Sequence, residues 1–279
     1  MNKLNDEILL RLSNFLNYNE QAITKDLIDD VKSCGVDTLT AYKMLLTSFL
    51  GLDDSDLFKD KYLDKMVKEL NKDDYTVNAY YKNVRLDNVK YKDWEIKNAR
   101  YKAYEAFVYD DFLYLDDLVI PRIGFFQKDF KYPGIYYKNR LWMSVTPNEI
   151  NTMNKPIENA NGRVLTFGLG LGYFIYMCSL KDTVDKITVV EIDKDVITLF
   201  KKYILPKFEH KDKIEIINMD AYEYINSIND DDYNYIFIDI YHDASDGLLT
   251  YNKFKKSVSK FKNTLVDFWI MDTIKYYIH

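Results

Sequence analysis

The residues best suited to chemistry cluster in the second half of the chain. Gly168, Gly170 and Gly172 fall within five positions of one stretch, VLTFGLGLGYF, although the 279-residue chain holds only nine glycines. Glycine accepts positive φ and lets a ligand approach bare backbone. A helix start supplies unpaired N–H groups at the same place. The stretch is therefore expected to build a donor-lined floor for a ligand. Three acidic residues follow at the ends of apolar runs: Glu191 in VVEID, Asp220 in MDAYEYI and Asp239 in YIFIDI. A carboxylate in the first place can accept hydrogen bonds from a ribose diol, and one in the second can accept from the exocyclic amine of a base. His242 lies just beyond Asp239. With an ordinary pKa of ~6.5 it could take up a proton near neutrality. The plainer reading is a loop histidine bonded to backbone. Asp243 and Asp246 likewise read as solvated or helix-capping groups, with Asp246-Gly247 marking a turn.

These groups need elements to carry them. Four apolar runs, RVLTF (163–167), ITVVEI (187–192), IEIIN (214–218) and YIFIDI (235–240), alternate with helical stretches. Runs that are apolar on both faces and separated by helices imply a parallel sheet covered on both sides, and ligands of such sheets bind at the C-terminal edge. The expected fold class is α/β: a Rossmann-like parallel sheet over 159–279, preceded by a helical module over 1–72 and a β-rich, irregular region over 73–158. In the helical module Ile8, Leu12 and Phe15 recur at helical spacing, as do Ile23, Leu27, Val31 and Cys34. Gly35 and Gly51 sit where C-terminal caps belong, and Ser55 could cap a fourth helix carrying Tyr62 to Leu70. FLYLDDLVIP and GIYYKNRLWMSV read as strands, the second with a turn at Lys138-Asn139. A short helix follows Pro147 and ends near Ala160. The tail KFKNTLVDFWIMDTIKYYIH has room for one more strand, or equally for a helix, so the sheet is expected to be shortened at its C-terminal side.

Which nucleoside would lie on this edge? A dinucleotide fingerprint reads GxGxxG, but here the third glycine comes one residue early and Tyr173 takes its place. Only 40 residues follow Asp239, too few for a second dinucleotide-binding half. The GxGxG form, with acidic tips on the second and third strands, resembles the class I S-adenosylmethionine (SAM)-dependent methyltransferases. The resemblance implies SAM as cofactor, its methionine part over the glycine loop, its ribose on Glu191 and its adenine near Asp220 and Ala221. The candidate donor-binding set is Phe167, Gly168, Leu169, Gly170, Gly172, Glu191, Ile192, Asp220, Ala221, Asp239 and Tyr241. Another nucleotide, or a Rossmann-like domain that has lost its ligand, stays open as an alternative.

A closer resemblance, over about 120–247, is to the spermidine synthase-like branch of that superfamily. WMSVTPNEINTMNKPIENANGRVLTFGLGLG leads through a polar helix into the glycine loop, and VVEID, DAYEYI and an Asp-rich loop follow in order. The resemblance implies that the segment before the loop closes over the acceptor, which nominates Trp142 and Glu149 as acceptor-side residues. Two positions depart from the aminopropyl-transferring pattern. Leu171 stands where an acidic residue holds the donor's amine, and His242 stands where the strand-four loop has its second aspartate. The expected activity is therefore methyl transfer from SAM to a small-molecule acceptor, with Asp239 and His242 as the catalytic pair. Aminopropyl transfer from decarboxylated SAM is one alternative. A non-catalytic adenosine-ligand sensor or assembly protein, with homo-oligomerisation through the helical module, is the other.

Composition narrows the partners. A net charge of −6 argues against a general nucleic-acid binder, and the asparagine-proline-proline-aromatic signature of amino-methylating nucleic-acid enzymes is absent. Cys34 and Cys178 belong to no CxxC or CxxH arrangement, so no metal is expected and both read as buried thiols in a reducing cytoplasm. The N-terminus carries acidic residues where a signal peptide needs an apolar run. No run approaches the ~18–20 apolar residues of a spanning helix, so no membrane association is expected.

Overall fold

The computed structural model describes residues 3–18, 20–52, 62–116 and 118–278. The chain divides into two compact units. One contains the chain up to Asp73 together with Arg100–Lys131, and the other contains Asp74–Ala99 and Tyr132–Ile278. The β-rich stretch 73–158 is thus shared between them.

The first unit begins with helices Lys3–Leu16, Lys25–Lys32 and Thr38–Phe49. Thr24 and Asp37 cap the second and third by accepting from the amides of Leu27 and Thr40. Gly35 and Gly51 end them at positive φ. Cys34 lies exposed in the turn after the second helix, contrary to the expectation of a buried thiol, because that helix already stops at Lys32. Ser55, the expected fourth cap, lies outside the described residues. The apolar pattern after it is not one helix: Asp64–Met66 is helical, and Val67–Glu69 is a strand, β1. FLYLDDLVIP is likewise a hairpin rather than one strand. Its turn, at Asp116 (φ +50°), joins β4 (Phe107–Leu115) to β5 (Leu118–Phe125), and β5 also pairs in parallel with β1. Ile8, Leu46, Met66 and Ile123 are fully buried between helices and sheet, where Tyr42 stacks on Phe125 at 3.8 Å.

The second unit holds two sheets. In the antiparallel one, β2 (Val89–Tyr91), β3 (Trp94–Tyr101), β6 (Phe130–Tyr137) and β7 (Arg140–Ser144) lie side by side in that order. Lys138 and Asn139, both at positive φ, form the expected two-residue turn between β6 and β7. Helix Pro147–Asn159 then leads into the parallel sheet. Its strands are β8 (Gly162–Phe167), β9 (Val184–Glu191), β10 (Ile214–Asn218), β11 (Tyr235–Ile238) and β12 (Leu265–Phe268), in the spatial order β10-β9-β8-β11-β12. The four apolar runs are the first four of these strands. The tail supplies both of the alternatives it allowed: the fifth strand and a final helix, Met271–Ile278.

This order determines the position of the site. The chain winds outward from β8 to β9 and β10, then crosses back to β11 and β12, so β8 flanks the point where winding reverses. Register aligns the strand ends: Phe167 pairs with Val190 and with Ile238, and Asn218 pairs with Glu191. Whatever follows those ends emerges on one rim. Among the described residues no helix is long and apolar enough to cross a membrane.

Candidate functional site

The glycine loop leaves β8 at Phe167. Gly168 has φ +86°, and a Cβ there would sit 2.8 Å from the carbonyl oxygen of Asp239. Gly172 has φ +76° at the start of helix Tyr173–Ser179, with Phe200 only 2.7 Å from where a Cβ would be. Both positions therefore exclude side chains on conformational and steric grounds. The floor is less bare than expected. The Leu169 amide donates to Glu191 Oε2 at 3.1 Å, and the Leu171 amide donates to Met143 Sδ at 3.4 Å. Gly168 and Gly172 donate to the carbonyls of Val190 and Leu169. A tight loop has to satisfy its own donors, and this one recruits a carboxylate and a thioether to do so. Met143 also fills the space directly over Gly170, 3.0 Å from where a Cβ would be. Leu171 is fully buried, and its carbonyl accepts from the Tyr80 hydroxyl at 2.6 Å.

The acidic tips follow on the neighbouring strands. Glu191 Oε1 accepts from the Asp193 amide at 2.8 Å. Burial raises the pKa of this carboxyl, and hydrogen bonds from the backbone amides of Asp193, Leu169 and Ile192 partly offset that. Asp220 caps helix Ala221–Ser227, its Oδ1 accepting from the amides of Tyr222 (2.8 Å) and Glu223 (3.1 Å). Asp239 follows β11 directly, and desolvation pushes its pKa up to about 7. Glu149, in the first turn of helix Pro147–Asn159, is only 6% exposed. Its Oε1 is buried with no hydrogen-bond partner. Desolvation first, and the like charge of Asp239 second, push its pKa well above the carboxylate range.

Aromatic rings frame the opening. Trp142 is 48% exposed, and the His242 ring meets it edge-on at 4.3 Å. His242 Nδ1 lies 3.2 Å from Asp246 Oδ2, so its partner is a carboxylate and not backbone. Asp243 caps helix Ala244–Val258 through the Ser245 and Asp246 amides. Asp246 and Gly247 therefore belong to the first helical turn, not to a loop turn. Tyr241 is buried, and its hydroxyl donates to the Trp269 carbonyl. The Trp269 indole in turn donates to Thr152 Oγ1 at 2.8 Å.

These groups surround one cavity of about 380 Å³. Every candidate named from the sequence lines it except Phe167. That ring is fully buried and packs on Phe254 and Tyr224 inside the core. Met143, Met153, Thr166, Met219 and Trp269 also line the cavity and were not foreseen. They carry no charge and no motif; adjacency of Met143 to Trp142 was the one available signal. Glu149, Glu191, Asp220 and Asp239 bring four carboxyl groups to the lining, and among the described residues no lysine or arginine joins them. The described residues contain no group of histidine, cysteine and acidic side chains arranged to hold a metal.

A five-stranded parallel sheet with its glycine loop and acidic tips on one rim defines a Rossmann-like α/β fold. Residues 150–266 match the model of the spermine/spermidine synthase domain family. For this segment the resemblance to the spermidine synthase-like branch of the class I SAM-dependent methyltransferase superfamily holds. No curated protein matches the sequence. Among solved structures, spermidine synthase from Thermotoga maritima is 16% identical, with 56% of this chain and 53% of that chain covered and a TM-score of 0.36. A spermidine synthase in complex with the transition-state analogue AdoDATO is 17% identical, covering 63% and 54% at a TM-score of 0.38. A SAH-bound methyltransferase from Podospora anserina is 16% identical, covering 41% and 48% at a TM-score of 0.33. The chain spans about half the length of each of these proteins.

Proposed function

We propose that the protein is a SAM-dependent transferase that moves a methyl group to a small-molecule acceptor. The observation that carries this reading is the lining of the rim cavity: a glycine loop, a carboxylate at each of three strand ends and, among the described residues, no lysine or arginine. Such a lining suits a ligand that combines a ribose with a positive charge. Glu191 keeps lone pairs free for ribose hydroxyls, because each of its oxygens accepts one amide bond. Asp220 and Ala221 flank the place for the base, and the glycine loop with Met143 flanks the place for the methionine tail. The bound donor supplies an electrophilic carbon on a sulfonium. The task left to the protein is alignment and uptake of the acceptor's proton. Asp239, with its pKa raised to about 7, is matched to that uptake near neutrality, and His242 stands beside it at the opening.

Aminopropyl transfer from decarboxylated SAM is the second reading. The family match over 150–266 favours it, as does a carboxyl-rich wall suited to amines. Leu171 speaks against it: the loop position that should offer a carboxylate to the donor's amine is a buried aliphatic side chain. Titration calorimetry with SAM and with decarboxylated SAM decides. The methyl reading expects SAM to bind and Gly170→Trp to abolish binding. Strong preference for the decarboxylated donor, with product formed from 1,4-diaminobutane, establishes the aminopropyl reading. Heat from neither ligand sinks both.

A further inference from the structure

Glu149 and Asp239 come from elements far apart in the sequence, the helix before β8 and the end of β11, yet both line the same cavity. Glu149 is more than nine-tenths buried, and its Oε1 finds no partner. Most of the polar groups near the two carboxyls already have other partners. The Tyr80 hydroxyl, on helix Ala79–Asn83, donates to the Leu171 carbonyl. The Tyr173 hydroxyl, on helix Tyr173–Ser179, accepts from Asn78 at 2.9 Å. Beyond Asp239, Tyr241 is bound to the Trp269 carbonyl and His242 faces Asp246. Glu149 is buried and Asp239 partly so, both line one cavity that no lysine or arginine among the described residues reaches, and ionising either disfavours ionising the other.

We propose that Glu149 and Asp239 share a proton in the ligand-free cavity and release it when a positively charged ligand enters. On entry a carboxyl O–H bond breaks, the proton passes to solvent, and the ligand's charge neutralises the second carboxylate. The cavity thereby couples occupancy by a cation to proton release, and Glu149 is a positioning residue that sets the protonation of Asp239. The identity of the ligand rests on the transferase reading above. The sharing of the proton does not.

The ligand-free protein tests the sharing. Both carboxyls hold protons more tightly folded than unfolded, so their contribution to stability is complete at low pH and is lost as pH rises through the folded values. Thermal unfolding is followed between about pH 5 and 8 for the wild type, Glu149→Gln, Asp239→Asn and the double variant. Glu149→Gln is expected to gain stability relative to wild type progressively as pH rises. A difference that does not change with pH marks a space-filling role and overturns the proposal. If a variant fails to fold, the infrared spectrum of the wild type near neutrality decides. The carbonyl band of a protonated carboxyl supports the proposal, and its absence overturns it.

Calorimetry in buffers of different ionisation heat, at about pH 6.5, tests the release. The probes are SAM, decarboxylated SAM and 1,4-diaminobutane. About one proton is expected to leave per cation bound to the wild type, and none from the double variant. Binding without release, or no binding of any of the three, overturns the coupling. Failure of both sulfonium donors, with release on binding the diamine, sinks the donor reading and supports the proton pair.

Discussion

The thioether of Met143 on β7 and the amide of Leu171 in the glycine loop are bonded to each other, Sδ to N at 3.4 Å. The side chain that makes this bond also occupies the space above Gly170. A ligand tail entering over the loop has to displace it. Met143→Ala is therefore expected to tighten SAM binding by roughly three- to tenfold, the equivalent of one modest hydrogen bond no longer to be broken. Calorimetry on the purified variant checks this; weaker binding would mean that the sulfur assists the ligand.

Gly168 carries a second constraint. At φ +86°, with a Cβ position 2.8 Å from the Asp239 carbonyl, Gly168→Ala must move backbone, not merely a side chain. A cost of about 2–4 kcal/mol is expected, with loss of ligand binding because the end of β11 shifts. Gly35→Ala is the control. It has a similar φ of +89° but nothing within 4 Å of its Cβ, so it is expected to cost less than Gly168→Ala in the same thermal melts.

Asp239→Asn separates stability from chemistry. The folded pKa of about 7 lies above the ordinary aspartate value. The stability linked to this group is complete below the unfolded pKa of ~3.9 and is lost as pH rises toward and through 7. Replacement by asparagine is expected to raise stability above pH ~7 by an amount on the order of a few kcal/mol, and to change it little near pH 4. Melting curves at the two pH values check the sign. Under the transferase reading the same variant binds SAM and does not turn over.

Lys181 supports the helix that carries Glu149. Its ammonium donates to the carbonyls of Ile157, Glu158 (2.9 Å) and Ala160 (2.6 Å) at the end of helix Pro147–Asn159. Removing it leaves orphan carbonyls and an uncompensated helix C-terminus. Lys181→Met is expected to lose about 1–3 kcal/mol. Lys155→Met, whose partner is an exposed i,i+3 glutamate, is expected to change stability by less than ~0.5 kcal/mol.

Much of this architecture was legible because its signals are local. The alternation of apolar runs with helical stretches marks parallel strands without any knowledge of contacts, and a glycine trio after an apolar run marks a turn that side chains cannot make. Glu191, Asp220 and Asp239 were found for the same reason, each being an acidic residue at the end of a run. Reading failed where a local pattern had two solutions. Tyr62 to Leu70 suits a helix until Val67 finds β5 to pair with, and FLYLDDLVIP suits one strand until Asp116 turns it.

Amino-acid order alone determined that this is a Rossmann-like chain whose glycines and carboxylates share one rim, because strand polarity and register follow from the sequence of elements. It could not determine that the amides of Gly168, Leu169, Leu171 and Gly172 are already paired, that Phe167 faces the core, or that the unpartnered Oε1 of Glu149 lines the same cavity as Asp239. Those facts depend on which distant segments come together: β7 over the loop, and the helix before β8 on the same cavity as the end of β11. Burial and the electric field at a carboxyl are sums over such neighbours, so only the folded chain fixes where the proton sits.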